Sequence, residues 1–266
     1  MNAQHHGFFA MGTRFDLVLS GVARSKGEAL ARDLRVECER IERLLSIHDP
    51  GSPLSILNHG ARSGWMPMDD ELRAILTEID NYHRLTRGYF DPTLNTETES
   101  AWEGVQLSGE GLRFVHPDMQ IDLGGYGKGY AVERLLNCLR EAGVEHALIS
   151  FGESLIYGMG SHPHGEGWPI ALPLAGDISA RTFLLKDQAL SLSGNTFNNQ
   201  KKFANSGHIV DASSGLTRKE SGVVCVMSKN PVEAEIFSTA LFGAGQERGK
   251  TLEQLRPGLK VKWFMD

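Results

Sequence analysis

One segment of this chain combines a carboxylate, four glycines and a lysine, which are residue types that could together bind a ligand. An apolar run ends at Asp122, glycines follow at positions 124, 125, 127 and 129, and a helical pattern begins near Lys128. Glycines let backbone N–H groups approach a ligand closely, and a helix N-terminus favours negative charge. The segment therefore predicts a cradle for a phosphate or pyrophosphate. A plain tight turn from strand to helix is the alternative.

Two common nucleotide-binding loops do not match this segment. Its spacing is Gly-x-x-Gly-x-Gly, whereas a dinucleotide-binding βαβ unit requires Gly-x-Gly-x-x-Gly. Lys128 is followed by Gly129, whereas the P-loop requires Ser or Thr after its lysine. A hydride-transferring enzyme that uses a nicotinamide nucleotide is therefore the least favoured interpretation.

A carboxylate and a hydroxyl are spaced to share one helical face further along the chain. Glu235 and Thr239 are four residues apart in a predicted helix over 231–243, so both oxygens emerge on the same side. Such a pair can bind a hard cation together with carbonyls, waters and a substrate phosphate. In the alternative interpretation Glu235 is solvated and Thr239 hydrogen-bonds within its own helix.

A histidine and an aspartate stand close together in a predicted strand and turn. His208 and Asp211 could form an acid–base pair, because histidine titrates near neutral pH. In the alternative, Asp211 only caps the bend formed by Ser213, Ser214 and Gly215.

The hydrophobic pattern indicates an α+β protein. Helices dominate the first half and short strands the second, and no low-complexity linker or internal repeat interrupts them. We therefore expect one compact domain over residues 1–266. The predicted helices span 26–47, 69–87, 128–142 and 231–243, and the predicted strands include 15–19, 146–151, 155–158, 168–172, 181–185, 189–192, 207–210 and 222–227.

Composition excludes several classes of protein. The net charge of −6 and the lack of a basic tract argue against nucleic-acid binding. No apolar run approaches the ~20 residues that span a bilayer, and no signal-peptide pattern opens the chain. The three cysteines are widely spaced, which predicts buried free thiols and a reducing, cytoplasmic location.

Taken together, the motifs resemble those of the ApbE family, the flavin transferases that cleave FAD and attach FMN to a Ser or Thr of a target flavoprotein. The match runs in order along nearly the whole chain. Its motifs are Met11-Gly12-Thr13, the segment 46–58, the segment 88–93 (Gly-Tyr-Phe-Asp-Pro-Thr), the segment 121–132, Ser193-Gly194, the segment 208–215 and Ser238-Thr239-Ala240.

The resemblance implies a single ApbE-like domain, with mixed and antiparallel sheets flanked by helices, that binds FAD as a substrate together with Mg²⁺. It implies that the FAD-binding residues are Met11, His48, Tyr89, Phe90, Asp91, Gly124, Tyr130 and Ile209. It further implies that Mg²⁺ is held by the Gly127 carbonyl, Glu235 and Thr239, and that His208 and Asp211 deprotonate the acceptor hydroxyl.

The chain departs from the usual family pattern at several positions. His48 replaces a Tyr, Glu235 replaces a metal-binding Asp, and Leu192 replaces a Thr. Two further departures are Ala212 for Pro and Glu153 for Gly. The changes at 192, 212 and 235 motivate one alternative to a transferase, and a second alternative applies if no acceptor is engaged. One is a relative that binds FAD without transferring FMN, and the other is a pyrophosphatase that releases FMN and AMP to water.

Overall fold

The computed structural model describes residues 3–94, 102–152, 154–172, 181–195, 209–211, 216–218 and 220–265. The α-helices of this part of the chain are α1 (Arg24–Leu45), α2 (Pro53–Ala61), α3 (Asp70–Leu85), α4 (Gly127–Glu141) and α5 (Pro231–Gln254). Its strands are β1 (Ala3–Ala10), β2 (Thr13–Ser20), β3 (Thr93–Leu94), β4 (Val105–Ser108), β5 (Gly111–Phe114), β6 (Gln120–Ile121), β7 (His146–Phe151), β8 (Leu155–Met159), β9 (Trp168–Ala171), β10 (Thr182–Leu185), β11 (Gln188–Asn195), β12 (Val210–Asp211), β13 (Leu216–Thr217), β14 (Gly222–Ser228) and β15 (Lys260–Met265). This content is α+β, as the sequence predicts.

The chain divides into two compact units. Unit 1 comprises Met1–Ile41, Lys128–Ser191 and Val226–Glu235, and unit 2 comprises Glu42–Gly127, Leu192–Cys225 and Ile236–Asp266. The single domain expected over residues 1–266 stays a prediction.

Antiparallel strands form the centre of unit 1, in the order β1-β2-β7-β8-β11. Phe15 of β2 pairs directly with Phe151 of β7, and both rings are fully buried. Their centroids are 5.0 Å apart in an edge-to-face arrangement, which aromatic pairs favour. Alternate residues of β2 point into this core, which explains the period of two that predicts the strand.

Helices α1 and α4 run antiparallel in unit 1. Lys26, near the start of α1, donates from Nζ to the carbonyl of Ala142 just beyond α4, at 2.6 Å. Further along, Arg134 Nε lies 3.5 Å from Glu37 Oε1. The hydrogen bond from Arg40, followed by the charges of Arg40 and Arg134, holds the pKa of Glu37 below its usual range, against the effect of burial. A lysine–carbonyl hydrogen bond and an ion pair thus join the exposed edges of two helices whose apolar stripes are buried.

Capping residues explain where the helices of unit 2 begin. Asp69 accepts the N–H of Leu72 at 2.7 Å, and Asp70 follows in the first turn of α3. This is the start that the acidic run predicts. Ser52 caps α2 in the same way by accepting the N–H of Ser55 at 3.0 Å. The C-terminal cap expected at Gly143, in unit 1, is confirmed by its φ of 70°.

The C-terminal part of unit 2 contains a helix longer than the sequence predicts. Helix α5 covers the expected 231–243 but continues to Gln254 beyond a break at Gly245, where φ is 76° and ψ is 166°. Only the portion from Ile236 belongs to unit 2. Strand β14 is hydrogen-bonded to β11 and to β15.

The described cysteines are free thiols, as expected. Cys38 and Cys225 are buried, and Cys138 is half-buried. Burial raises the pKa of Cys225 to about 12, so this thiol stays protonated and unreactive near neutral pH. In the described ranges no helix combines the length and apolar character that a membrane crossing needs.

A buried asparagine ties α2 to β6 within unit 2. Asn58 Nδ2 donates to the Ile121 carbonyl at 2.9 Å, and Asn58 Oδ1 accepts the Ile121 N–H at 2.9 Å. The side chain is only 4% exposed. The Asn58 amide therefore bonds both backbone groups of Ile121, as a neighbouring strand would, at the point where the chain enters the glycine-rich loop.

We expect Asn58→Ala to lower the free energy of unfolding by about 2–4 kcal/mol, because two buried backbone groups lose their partner. Urea denaturation followed by circular dichroism measures this. His59→Ala, at an exposed position of the same helix, is the control and should change little. Equal effects of the two variants would contradict this role for Asn58.

Candidate functional site

The glycine-rich loop connects β6 to α4, and most of its backbone donors are already bonded within the protein. Asp122 Oδ1 accepts the Gly124 N–H at 2.9 Å. The N–H groups of Tyr126 and Gly127 donate to the Leu123 carbonyl at 3.0 and 2.8 Å. The loop is thus a fixed, internally bonded turn, which limits how many N–H groups it offers to a phosphate.

The glycines of this loop permit close packing in unit 2. A Cβ on Gly125 would lie 3.3 Å from the Phe90 ring and 3.7 Å from Thr239 Oγ1. Phe90 itself is 3% exposed. The structure therefore brings together three parts of the predicted site: the loop, Phe90 and Thr239.

The segment after α3 is held by its own hydrogen bonds. Asp91 Oδ1 accepts from the Thr93 N–H at 2.9 Å and from the Thr93 hydroxyl at 2.5 Å, while Asp91 Oδ2 accepts the Trp102 N–H at 3.2 Å. Both carboxylate oxygens are thus committed to shaping the turn. Tyr89, two residues earlier, is half-buried.

A hydroxyl cluster surrounds Thr239, and the sequence analysis assigns no role to its other two members, Ser193 and Ser238. Ser193 Oγ lies 2.8 Å from Ser238 Oγ and 3.4 Å from Thr239 Oγ1. Ser238 is fully buried. If Thr239 donates its proton towards Ser193, the lone pairs of Thr239 remain available for a cation. The motifs Ser193-Gly194 and Ser238-Thr239-Ala240 were the signal for this cluster.

In unit 1 the Glu235 carboxylate lies against the first turn of α4. Glu235 Oε2 accepts the Gly129 N–H at 2.5 Å, and Oε1 lies 2.7 Å from the Lys128 ammonium. The residue is only 3% exposed. A carboxylate at this position is stabilised by the Gly129 N–H and by the dipole of the helix N-terminus.

The start of α5, in unit 1, is held by a second polar cluster. Asn230 Oδ1 accepts the Glu233 N–H at 3.0 Å, and the Ser228 hydroxyl donates to Glu233 Oε2 at 2.5 Å. Asn230 Nδ2 also donates to Glu133 of α4 at 3.2 Å. These bonds fix α5 against α4 in unit 1, so Glu235 reaches the start of α4 from a rigid helix.

Three further predicted site residues lie in a turn, in a bend and at a helix start. Met11 occupies the β1–β2 turn with a φ of 52°, next to Gly12 at 69°, a conformation that a non-glycine residue adopts at a cost. His48 is exposed and its N–H donates to Ser46 Oγ at 3.1 Å. Tyr130 lies in the first turn of α4 and is half-buried.

The predicted acid–base pair falls largely outside the described residues. Ile209 is buried, and its carbonyl accepts the Arg218 N–H at 3.0 Å. The Asp211 backbone pairs with Leu216 in the β12–β13 ladder. His208 lies outside the described residues, as do the departures at 153 and 212. The pairing of His208 with Asp211 therefore stays a prediction.

The donors expected to hold Mg²⁺ have the chemistry of a hard-cation site. They are a buried carboxylate, a hydroxyl and a backbone carbonyl, all oxygen ligands of the kind Mg²⁺ takes. The Glu235 carboxylate already has a positive charge, the Lys128 ammonium, 2.7 Å away. Among the described residues no group of three or more His, Cys, Asp or Glu side chains could hold a metal. A cation at Glu235 would therefore depend on one carboxylate and neutral oxygens.

Comparison with known proteins assigns the family. The model of the ApbE family matches residues 11–105 and 95–263. The chain belongs to the ApbE family. Among curated members, the FAD:protein FMN transferase of Klebsiella pneumoniae is 24% identical over 278 residues, covering 90% of this chain and 78% of that protein. The enzyme of the same name from Chlamydia muridarum is 26% identical over 243 residues, covering 79% and 74%.

Solved structures of the ApbE family share the fold. The flavin transferase ApbE from Vibrio cholerae superimposes with a TM-score of 0.82 at 20% identity, over 99% of this chain and 94% of that one. The ApbE protein from Thermotoga maritima gives a TM-score of 0.80 at 21% identity, over 98% and 93%. At this level of identity the likeness concerns the fold alone.

Gly129 is where the starts of α4 and α5 approach each other in unit 1. A Cβ there would lie 2.7 Å from Val232 Cα and 2.9 Å from the Pro231 carbonyl, and backbone atoms cannot yield as a side chain can. We expect Gly129→Ala to lower the free energy of unfolding by about 1–3 kcal/mol, the usual cost of overpacking.

Chemical denaturation of the purified variant measures that loss. Gly64→Ala is the matched control, because a Cβ at Gly64 meets nothing within 4 Å and should change the stability by less than about 1 kcal/mol. Equal stability of Gly129→Ala and Gly64→Ala would contradict the close approach of the two helices at Gly129.

Proposed function

We propose that this protein is an FAD:protein FMN transferase that moves FMN from FAD to a Ser or Thr hydroxyl of a target flavoprotein and releases AMP. The observation that carries the proposal is the ApbE family match, which runs from residue 11 to residue 263. The names of the curated relatives support the same activity.

In this proposal the chain binds FAD through residues that its motifs supply. The flavin is flanked by Met11 and His48, and the nucleotide contacts Tyr89, Phe90, Asp91, Gly124, Tyr130 and the Ile209 backbone. The burial of Phe90 and the rigid turn at Asp91 support a preformed pocket wall, which lowers the entropic cost of binding.

The proposed transfer of FMN is a substitution at phosphorus. The acceptor oxygen forms a bond to the FMN phosphorus, the anhydride bond to AMP breaks, and the hydroxyl proton passes to a base, here His208 with Asp211. The Gly127 carbonyl, Glu235 and Thr239 would hold Mg²⁺, which would supply positive charge to offset the charge developing on the phosphates. The Ser193–Ser238 cluster orients the Thr239 hydroxyl.

Two other functions remain as candidates because of the geometry at Glu235. Its carboxylate is engaged by Lys128 and by the Gly129 N–H, which favours an FAD-binding relative that does not transfer FMN. If the metal binds but no acceptor engages, water takes the place of the hydroxyl and the protein is an FAD pyrophosphatase.

The proposal includes a location and a partner. Three free thiols support a reducing, cytoplasmic setting. The partner is a flavoprotein with a Ser/Thr flavinylation motif of the form Asp-x-x-Ser/Thr-Gly-Ala, and neither nucleic acid nor membrane is involved.

Incubation with FAD, Mg²⁺ and an acceptor domain bearing this motif tests the function. We expect AMP, detected by chromatography, and a mass gain on the acceptor equal to FMN, detected by mass spectrometry. AMP and free FMN that form equally well without acceptor would indicate the pyrophosphatase. FAD that stays intact under every condition would indicate the binding protein.

Glu235→Ala tests the metal-binding role within that assay. We expect the rate of FMN transfer to fall by about 100-fold or more, because the variant lacks the carboxylate that would hold Mg²⁺ beside the phosphates. Chelation of the metal from wild type should give the same result. Glu247→Ala, exposed on the same helix, should retain activity. Full activity of a folded Glu235→Ala protein, or of chelated wild type, would contradict the metal role.

A further inference from the structure

We propose that Lys128 is a tethered cation that competes with the divalent metal for the Glu235 carboxylate, so that the metal binds only when this ion pair opens. The inference rests on the proposed metal role of Glu235 but not on FMN transfer itself. It is built entirely from residues of unit 1.

The contact that carries the proposal is a nearly buried ion pair. Lys128 Nζ lies 2.7 Å from Glu235 Oε1, with the lysine side chain 24% exposed and the glutamate side chain 5% exposed. The other oxygen, Oε2, accepts the Gly129 N–H at 2.5 Å. Both oxygens that would face a metal thus have partners already, and one of these partners is a full positive charge.

Helix packing keeps this pair together. The Gly129 backbone lies against Val232 and Pro231 so closely that a Cβ would be 2.7 Å from Val232 Cα. The packing of the two helix starts thus fixes the backbone of Lys128 in space relative to the backbone of Glu235. The length of the glutamate side chain completes the contact, because a carboxylate one methylene shorter would end about 1.5 Å further from the α4 N-terminus.

Electrostatic repulsion prevents the Lys128 ammonium and a divalent metal from occupying the Glu235 carboxylate at the same time. An ammonium that stays 2.7 Å from Oε1 would lie a few ångströms from a metal on the same carboxylate. In a poorly solvated site, like charges at that distance repel strongly. The lysine must therefore move away for the metal to bind, and because its side chain is partly exposed it has a path to solvent or to a substrate phosphate.

Direct titration of the purified full-length protein with Mn²⁺, read by electron paramagnetic resonance without FAD, tests the competition. We compare wild type with Lys128→Met and Lys128→Gln, which remove the charge, and with Lys128→Arg, which keeps it. Lys26→Met is the control for net charge, since Lys26 is exposed and donates to the Ala142 carbonyl. Circular dichroism verifies that each variant is folded.

We expect the Mn²⁺ dissociation constant to fall by about tenfold or more in both neutral variants, because a buried carboxylate that has lost its counter-charge gains a strong preference for another cation. Lys128→Arg and Lys26→Met should resemble wild type. Unchanged or weaker Mn²⁺ binding in folded Lys128→Met and Lys128→Gln would overturn the proposal, as would the absence of Mn²⁺ binding in every variant. Failure of wild type to transfer FMN would contradict the proposed function and leave this result intact.

Discussion

The Glu235 carboxylate and the first turn of α4 depend on each other in unit 1. A buried carboxylate is costly unless it is paired and hydrogen-bonded, and here the Lys128 ammonium and the Gly129 N–H satisfy it. In return the carboxylate satisfies a donor that a helix start leaves without an intrahelical partner. The same interaction therefore stabilises the helix junction and, in our proposal, governs how readily the carboxylate accepts a metal.

Close packing of glycine backbones makes this junction possible. At Gly129 any side chain would meet backbone atoms of α5, and at Gly125, in unit 2, it would meet the Phe90 ring. The loop donors at Gly124, Tyr126 and Gly127 are bonded internally. The glycine-rich segment thus acts as a rigid spacer between β6 and α4, and these internally bonded N–H groups do not form an open array for the phosphate that the sequence predicts there.

The sequence predicts α1, α3, α4 and the first part of α5 because their apolar stripes and caps are local signals, but it misses the short helix α2 (Pro53–Ala61). The start of α3 follows from Asp69, and the end of α4 follows from Gly143. Strand β1 carries no alternation of apolar and polar residues, since His5, His6 and Gly7 occupy its middle, so it was not predicted. The continuation of α5 past Gly245 was also missed, because glycine normally ends a helix.

The site is less predictable than the fold, because its decisive contacts join distant parts of the chain. Glu235 and Thr239 are found from helical spacing, but the contact between Glu235 and Gly129 spans 106 positions, and no local pattern indicates it. Family motifs identify which residues matter and leave their partners unspecified. Glu235 reaches the N-terminus of α4 and Lys128, so in our proposal the carboxylate expected to bind the metal is held in a competing ion pair. On that proposal, the length of the side chain at position 235 determines whether the carboxylate reaches Lys128, and so whether the lysine has to release it before a metal can bind.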